Sequence, residues 1–367
     1  MERVLLVKPA SGLCNLKCDY CFYRDEIDHR SFGDCGIMTA ETQELMVKRA
    51  FEQSADRVTF VFQGGEPTLA GLDYFKRHGE LCKKYGGRTK IFNSLQTNGL
   101  LLDEEWVTFL TENRYLVGLS MDGNKTTHDM HRTNKDGSGS FNKVMRAAAL
   151  MKRYGVEFNI LCVVTKTVAR HADAVLNFFL KNNYRYLQFI PCLLPFAEEK
   201  EGVSADDYAK FLISCFDKYY REFREGKFLS IRTFDDYISI LAGRGTASCG
   251  MNGACGAYFT VEADGSVFPC DFYVLDDYRG GNLGSDSLEN IGKSEAFRKF
   301  MCESFPRPAE CKDCKWFALC KGGCRRHREP FTDGRPSSNC FCSAYQTFFE
   351  NAYPRLAEMA FAVKNRL

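Results

Sequence analysis

No run in this chain approaches the ~18 consecutive apolar residues that a membrane-spanning helix needs. The apolar run near its start, Val4 to Val7, is too brief for a secretion signal. Charge of one sign is missing as well. Forty-nine Lys and Arg stand against 47 Asp and Glu, a net +2, which gives no electrostatic footprint for nucleic acid or an anionic membrane. No internal repeat or low-complexity segment interrupts the sequence. What is present is ordinary for a globular protein: 45% hydrophobic and 26% charged residues, too apolar for disorder. At 367 residues, two structural units are expected. A cytoplasmic protein is expected, with no nucleic-acid or membrane partner, and a monomer.

Cysteine is the exception. Eighteen of 367 residues, about 5%, fall below the roughly 8–10% of a short disulfide scaffold. A chain this long does not need staples, and nothing directs it to an oxidising compartment. Clustered cysteines in a reducing setting point to metal ligation or catalysis.

Up to about residue 230, short β-rich runs alternate with amphipathic stretches. The strand candidates are Val4–Val7, Val58–Phe62, Lys90–Leu95, Tyr115–Leu119, Glu157–Val164 and Tyr186–Ile190, most of them apolar enough for burial on both faces. Between them lie helix candidates Thr39–Gln53, Asp103–Glu112 with Asp103 as cap, Phe141–Tyr154 and Val168–Lys181. Repeated strand–helix units imply a parallel sheet with right-handed crossovers. Six units fit an incomplete (β/α)6 TIM-like barrel better than a closed eight-stranded one, with a doubly wound open sheet as the alternative. Polar or Gly-rich segments follow the strands, where parallel α/β folds build their sites. Ser204–Glu225 reads as a helix closing this domain. From about residue 240 the chain turns Gly- and Cys-rich, and Gln346–Lys364 reads as a terminal helix. The expected division is residues 1–235 for the barrel and 236–367 for a loop-rich domain held together by metal or cluster ligation.

Cys14, Cys18 and Cys21 form C-x3-C-x2-C soon after the first strand. Three thiolates on one loop suit a 4Fe–4S cluster and leave one iron open. Zinc would want a fourth ligand close by, and the next cysteine, Cys35, comes fourteen positions later. The pattern resembles the radical S-adenosylmethionine (SAM) superfamily, in which SAM chelates the open iron and reductive cleavage releases a 5′-deoxyadenosyl radical. The resemblance extends to Gly64-Gly65-Glu66-Pro67, similar to the segment that meets the SAM amino group, with Gly65 letting backbone approach the ligand. It also implies Ser120 and Arg132 at the polar end of SAM, and Tyr20 and Leu193 against its adenine. His128 and His131, near Arg132, read as structural.

A second set reads Cys249-x5-Cys255, Cys270, then Cys311-x2-Cys314-x5-Cys320-x3-Cys324 and finally Cys342. It resembles the SPASM-type auxiliary domain, whose eight thiolates hold two more 4Fe–4S clusters, three in all. The resemblance implies Cys249, Cys255, Cys270 and Cys324 for one cluster, and Cys311, Cys314, Cys320 and Cys342 for the other. Cys340 rivals Cys342, and two all-thiolate zinc sites are the alternative reading. Fully ligated clusters cannot take SAM, so electron transfer is their natural role. Of the seven remaining cysteines, Cys162 and Cys192 read as small buried hydrophobes. Asp271, directly after Cys270, suits a general base.

End to end, the sequence is similar to anaerobic sulfatase-maturating enzymes, through QGGEPTLAG (63–71), NSLQTNG (93–99), CGMNGAC (249–255), CDFYVL (270–275) and CKDCKWFALCKGGCRR (311–326). That resemblance implies oxidation of a Cys or Ser of an unfolded or nascent sulfatase segment to formylglycine, with Asp271 as base. It also implies an electron donor such as ferredoxin or flavodoxin. The runner-up is a maturase of ribosomal peptides that forms thioether or related cross-links. Many of those carry an N-terminal recognition domain, for which Cys14 leaves no room here.

Overall fold

The structure, a computed structural model, describes residues 2–53, 56–193, 195–196, 202–256, 258–332 and 335–364. The chain packs into two units: Met1–Ser120, Asp129–Phe158 and Ala257–Phe300 form one, and Met121–His128, Asn159–Gly256 and Met301–Leu367 the other. This is a division by packing, and it interleaves the chain.

The first unit is built on parallel strands β1 (Glu2–Val7), β2 (Arg57–Phe62), β3 (Lys90–Thr97) and β4 (Leu116–Ser120), adjacent in that order. Helices α1 (Phe22–Asp28), α2 (Ala40–Phe51), α3 (Leu72–Tyr85) and α4 (Glu104–Glu112) occupy the connections. Burial in β1 and β2 alternates between buried and half-exposed or exposed positions, where burial of both faces was expected. One face packs under helices. Phe62 meets Phe75 of α3 at 5.0 Å between ring centroids, and Phe75 meets Trp106 of α4 at 5.2 Å. Such edge-on aromatic pairs add to the burial of their area. Arg3 lies on the buried face of β1 and donates to the carbonyl oxygens of Ala50 (2.6 Å) and Glu52 (2.8 Å), placing a cation at the C-terminus of α2.

Local chemistry starts the helices where the sequence indicated. Thr39 accepts from Thr42 N–H, and Asp103 from Trp106 N–H at 2.9 Å. On the other side of β1 the chain returns. The short strand Phe259–Val261 pairs parallel to β1, Ser266–Phe268 turns back antiparallel to it, and Gly281–Asn282 follows. The sequence reading placed only loops here. Strands of two or three residues carry too little periodicity to be read.

The second unit holds β5 (Phe158–Val164, from Asn159 onward), β6 (Tyr186–Pro191) and Ser230–Ile231, again parallel. The helix expected over Val168–Lys181 is two. It breaks at His171 (φ −116°, ψ 28°), whose Nδ1 bonds Thr167 O at 2.8 Å and closes the first segment. Ser204 caps helix Ala205–Arg224, and the terminal helix Cys342–Lys364 packs on it through Phe216 and Phe348, 5.5 Å apart. That helix begins earlier than expected, at Cys342 itself. Among the described residues, no helix is long and apolar enough to cross a membrane.

Candidate active site and cluster-binding loops

The loop after β1 carries Cys14, Cys18 and Cys21, all half-buried. Two backbone contacts hold it. Lys17 N–H donates to Thr133 O at 2.8 Å, and Leu16 forms an isolated bridge with Asn134. These bring Arg132, 8% exposed, to the loop, with its guanidinium 5.5 Å from the centre of the Tyr20 ring. His131 bonds Asp19 at 3.0 Å, while His128 is fully buried and accepts from Asp122 N–H. Ser120 ends β4, half-buried. Leu193 follows β6 in the second unit, half-buried. Thus Tyr20 and Arg132 share one neighbourhood with the cysteine loop.

Gly65 has a packing reason of its own. Its φ is +45°, and a Cβ there would stand 2.3 Å from Leu13 O. The missing side chain makes room for the chain's own cysteine loop, with Glu66 N–H donating to Leu13 O at 2.7 Å. Glu66 is equally committed. Its buried carboxylate accepts from Thr68 N–H and Oγ1, Thr97 Oγ1 and Asn98 N–H, all within 3.1 Å. It ties the end of β2 to the end of β3. Gly65→Ala is expected to lose at least about 1–2 kcal/mol, the cost of a left-handed residue with a side chain, read as a lowered thermal unfolding midpoint. An unchanged melt would show that the loop gives way freely.

Behind the loop lies a buried charge network that sequence reasoning missed. Asp271 Oδ2 accepts from Gln63 Nε2 at 2.7 Å and from Tyr23 OH at 3.5 Å. Lys8, fully buried at the end of β1, sits 4.9 Å from the centre of the Tyr23 ring. Its Nζ is 3.5 Å from Glu26 and 3.4 Å from Glu262, and Arg30 reaches Glu262 at 2.7 Å. Burial pushes the Asp271 carboxyl above its usual range, with Lys8 opposing. Burial pushes Glu26 up to about 8. Burial also works against ionised Glu262, but Lys8 and Arg30 together hold its carboxyl below the usual range. Two cations thus meet a cluster of buried carboxyls, which is what keeps ionised groups tolerable in a dry interior. Lys8 and Gln63 immediately follow apolar strands, which was the available signal.

The second unit groups its cysteines. Cys311, Cys314, Cys320 and Cys342 line one pocket with Trp316, Phe317, Tyr345 and Phe349, whereas Cys340 is not among the residues lining it. Cys324 lies near Cys249 and Cys255 electrostatically. Cys270 belongs to the first unit, where its Sγ accepts from Phe272 N–H at 3.5 Å. Of the cysteines outside these sets, Cys162 is buried as expected, but Cys192 is half-buried, its thiol donating to Leu193 O.

The donor chemistry fits iron–sulfur clusters. Burial pushes the thiols of Cys14 and Cys320 up to about 11 and Cys324 up to about 12, so each would be neutral unless a bound cation took the place of its proton. Among the described residues, no three His, Cys, Asp or Glu side chains converge as a single metal ion requires. A cluster spreads its irons over separate corners and needs no such convergence.

The strand ends and the three-cysteine loop are those of the radical SAM superfamily, whose sequence profile matches residues 9–179, and the iron–sulfur cluster-binding SPASM profile matches 251–315. A cysteine-type anaerobic sulfatase-maturating enzyme of Clostridium perfringens is 49% identical over 366 residues, covering 98% of this chain and 99% of its own. A serine-type enzyme of Bacteroides thetaiotaomicron is 34% identical, covering 99% and 92%. The solved structure of native anSMEcpe with bound AdoMet and peptide superposes with a TM-score of 0.94 at 48% identity, covering 99% of this chain and all of that one. The chain belongs to the anaerobic sulfatase-maturating enzymes. SuiB of Streptococcus suis, at 15% identity and a TM-score of 0.65, shares the fold alone.

Proposed function

We propose that this protein oxidises a cysteine in an unfolded or nascent sulfatase segment to formylglycine, using SAM and three 4Fe–4S clusters. The observation that carries the reading is Asp271, a carboxylate fixed by Gln63 and Tyr23 in the same packed unit as the Cys14 loop. The kinship with cysteine-type enzymes, 49% identical from end to end, favours Cys over Ser as target.

Cys14, Cys18 and Cys21 would hold the cluster that SAM completes, and that pair supplies a 5′-deoxyadenosyl radical for abstraction of a β-hydrogen. Arg132 and Ser120 would orient the polar end of SAM, Tyr20 and Leu193 its adenine, and Gly65 the backbone beside its amino group. Asp271 accepts the thiol proton of the target cysteine, and Gln63 and Tyr23 aim it. A general base so placed typically contributes about 10²–10⁴-fold. Cys249, Cys255, Cys270 and Cys324 would ligate one auxiliary cluster, and Cys311, Cys314, Cys320 and Cys342 the other, to take the second electron. Water then hydrolyses the thioaldehyde to the aldehyde, and the sulfur leaves as hydrogen sulfide.

In this reading residues 1–235 carry the SAM chemistry and 236–367 the auxiliary clusters. The enzyme works as a cytoplasmic monomer fed by a donor such as ferredoxin or flavodoxin. Mass spectrometry of a sulfatase peptide after anaerobic incubation with SAM and reductant tests the proposal. The expected product has lost its sulfur and gained an aldehyde oxygen. A product that keeps its sulfur, loses two hydrogens and yields no aldehyde to a carbonyl reagent after hydrolysis would mark a thioether cross-link and overturn the reading in favour of a peptide maturase.

A further inference from the structure

Arg328 stands four positions after Cys324, in the tight turn Arg325–Arg328. Its side chain is buried, with 2% exposure. Two of its nitrogens donate to backbone carbonyls, Nη1 to Pro306 O at 3.4 Å and Nη2 to Ser304 O at 3.2 Å, while Nε has no hydrogen-bond partner among the described residues. Neighbouring Arg325 pairs with Glu303 at 2.8 Å, but among the described residues no carboxylate lies within ion-pair reach of Arg328. A buried cation without an anion is strongly disfavoured. Two contacts place it beside both proposed ligand sets. Gly322, which lines the pocket of Cys311, Cys314, Cys320 and Cys342, would bring a Cβ to 4.0 Å from Arg328 Nη1. Ser304 links it to the other set, because its carbonyl holds Arg328 while its Oγ accepts from Cys255 N–H at 2.9 Å.

We infer that Arg328 is the shared counter-charge of the two auxiliary clusters and sets their reduction potentials. The inference rests on the cluster assignment proposed above. A 4Fe–4S cluster with four thiolates carries net negative charge, and reduction adds one more. A fixed cation in a dry site therefore favours the reduced state. The charge makes each cluster a better acceptor for the electron leaving the substrate, and serving both keeps their potentials close. Arg328 is a positioning residue for charge and touches neither SAM nor peptide.

The test is a redox titration of the anaerobically reconstituted full-length enzyme, followed by electron paramagnetic resonance, with iron counted on the same samples. Arg328→Gln removes the charge and keeps most of the hydrogen bonding, whereas Arg328→Lys keeps the charge. In Arg328→Gln, with iron at the wild-type level, the auxiliary clusters are expected to become at least about tenfold harder to reduce, which is 59 mV for one electron. The signal that added SAM perturbs is expected to stay put. Arg328→Lys is expected to remain within threefold of wild type. Auxiliary potentials unchanged in Arg328→Gln would overturn the inference. If that variant fails to hold iron, Arg328→Lys must restore it; equal failure of the Lys variant assigns the residue to hydrogen bonding and also overturns it. A wild-type count well short of about twelve irons would instead overturn the cluster assignment.

Discussion

Asp271→Asn is expected to cleave SAM and make almost no aldehyde. The substitution keeps the size of the side chain and can still accept from Gln63 Nε2, the 2.7 Å contact that orients it. What it loses is the capacity to take a proton. Losing a general base typically costs about 10²–10⁴-fold, and that loss should fall on formylglycine alone. In the proposed mechanism radical generation rests on the Cys14 loop and the strand ends, so 5′-deoxyadenosine should continue to form. The ratio of 5′-deoxyadenosine to aldehyde, measured on one reaction, reads the effect. Formylglycine at close to the normal rate would make Asp271 a structural carboxylate. Equal loss of both products would assign it to the shape of the pocket or the neighbouring cluster, and leave its role as base without support.

Replacing Cys14, Cys18 and Cys21 together with Ala should abolish SAM cleavage and remove about a third of the iron, four of about twelve atoms. Their loop is anchored by Lys17 N–H to Thr133 O and by the tight passage of Leu13 over Gly65, not by the thiols alone. The variant is therefore expected to stay folded and keep the auxiliary iron. Iron unchanged, or zinc in its place, would refute the assignment of this loop. Iron analysis beside the 5′-deoxyadenosine assay distinguishes these outcomes.

The three-cysteine loop was legible because its chemistry is local. The thiols lie within eight consecutive positions, and no folding is needed to see that three of them fall one short of the four ligands a 4Fe–4S cluster takes. The strands were legible for the same reason, since apolar β-rich runs and capping residues act over a few positions. Thr39, Asp103 and Ser204 start the helices that their chemistry announced. Sequence similarity extended this to the paired cysteines of the last third. It did not foresee that residues 259–282 add short strands beside β1. Those strands are stable because β1 offers an edge, which is a fact about a neighbour and not about their own residues.

Gly65 carries a demand that its motif does not display. A side chain there would meet Leu13 O of the same chain, a contact that only the folded loop creates. The Lys8 network as a whole was out of reach. Lys8, Glu26, Gln63, Glu262 and Asp271 are scattered from position 8 to position 271, and although Asp271 stood out, nothing in the sequence joins the five. Only packing makes them costly, since burial removes water from the charges and forces them to find one another. The sequence by itself determined which chemistry this protein carries, because ligand identity, strand pattern and capping are set by neighbours along the chain. The tertiary structure decided what surrounds Asp271 and that burial pushes its carboxyl up, because desolvation and Coulomb attraction depend on distances in space that linear spacing does not encode.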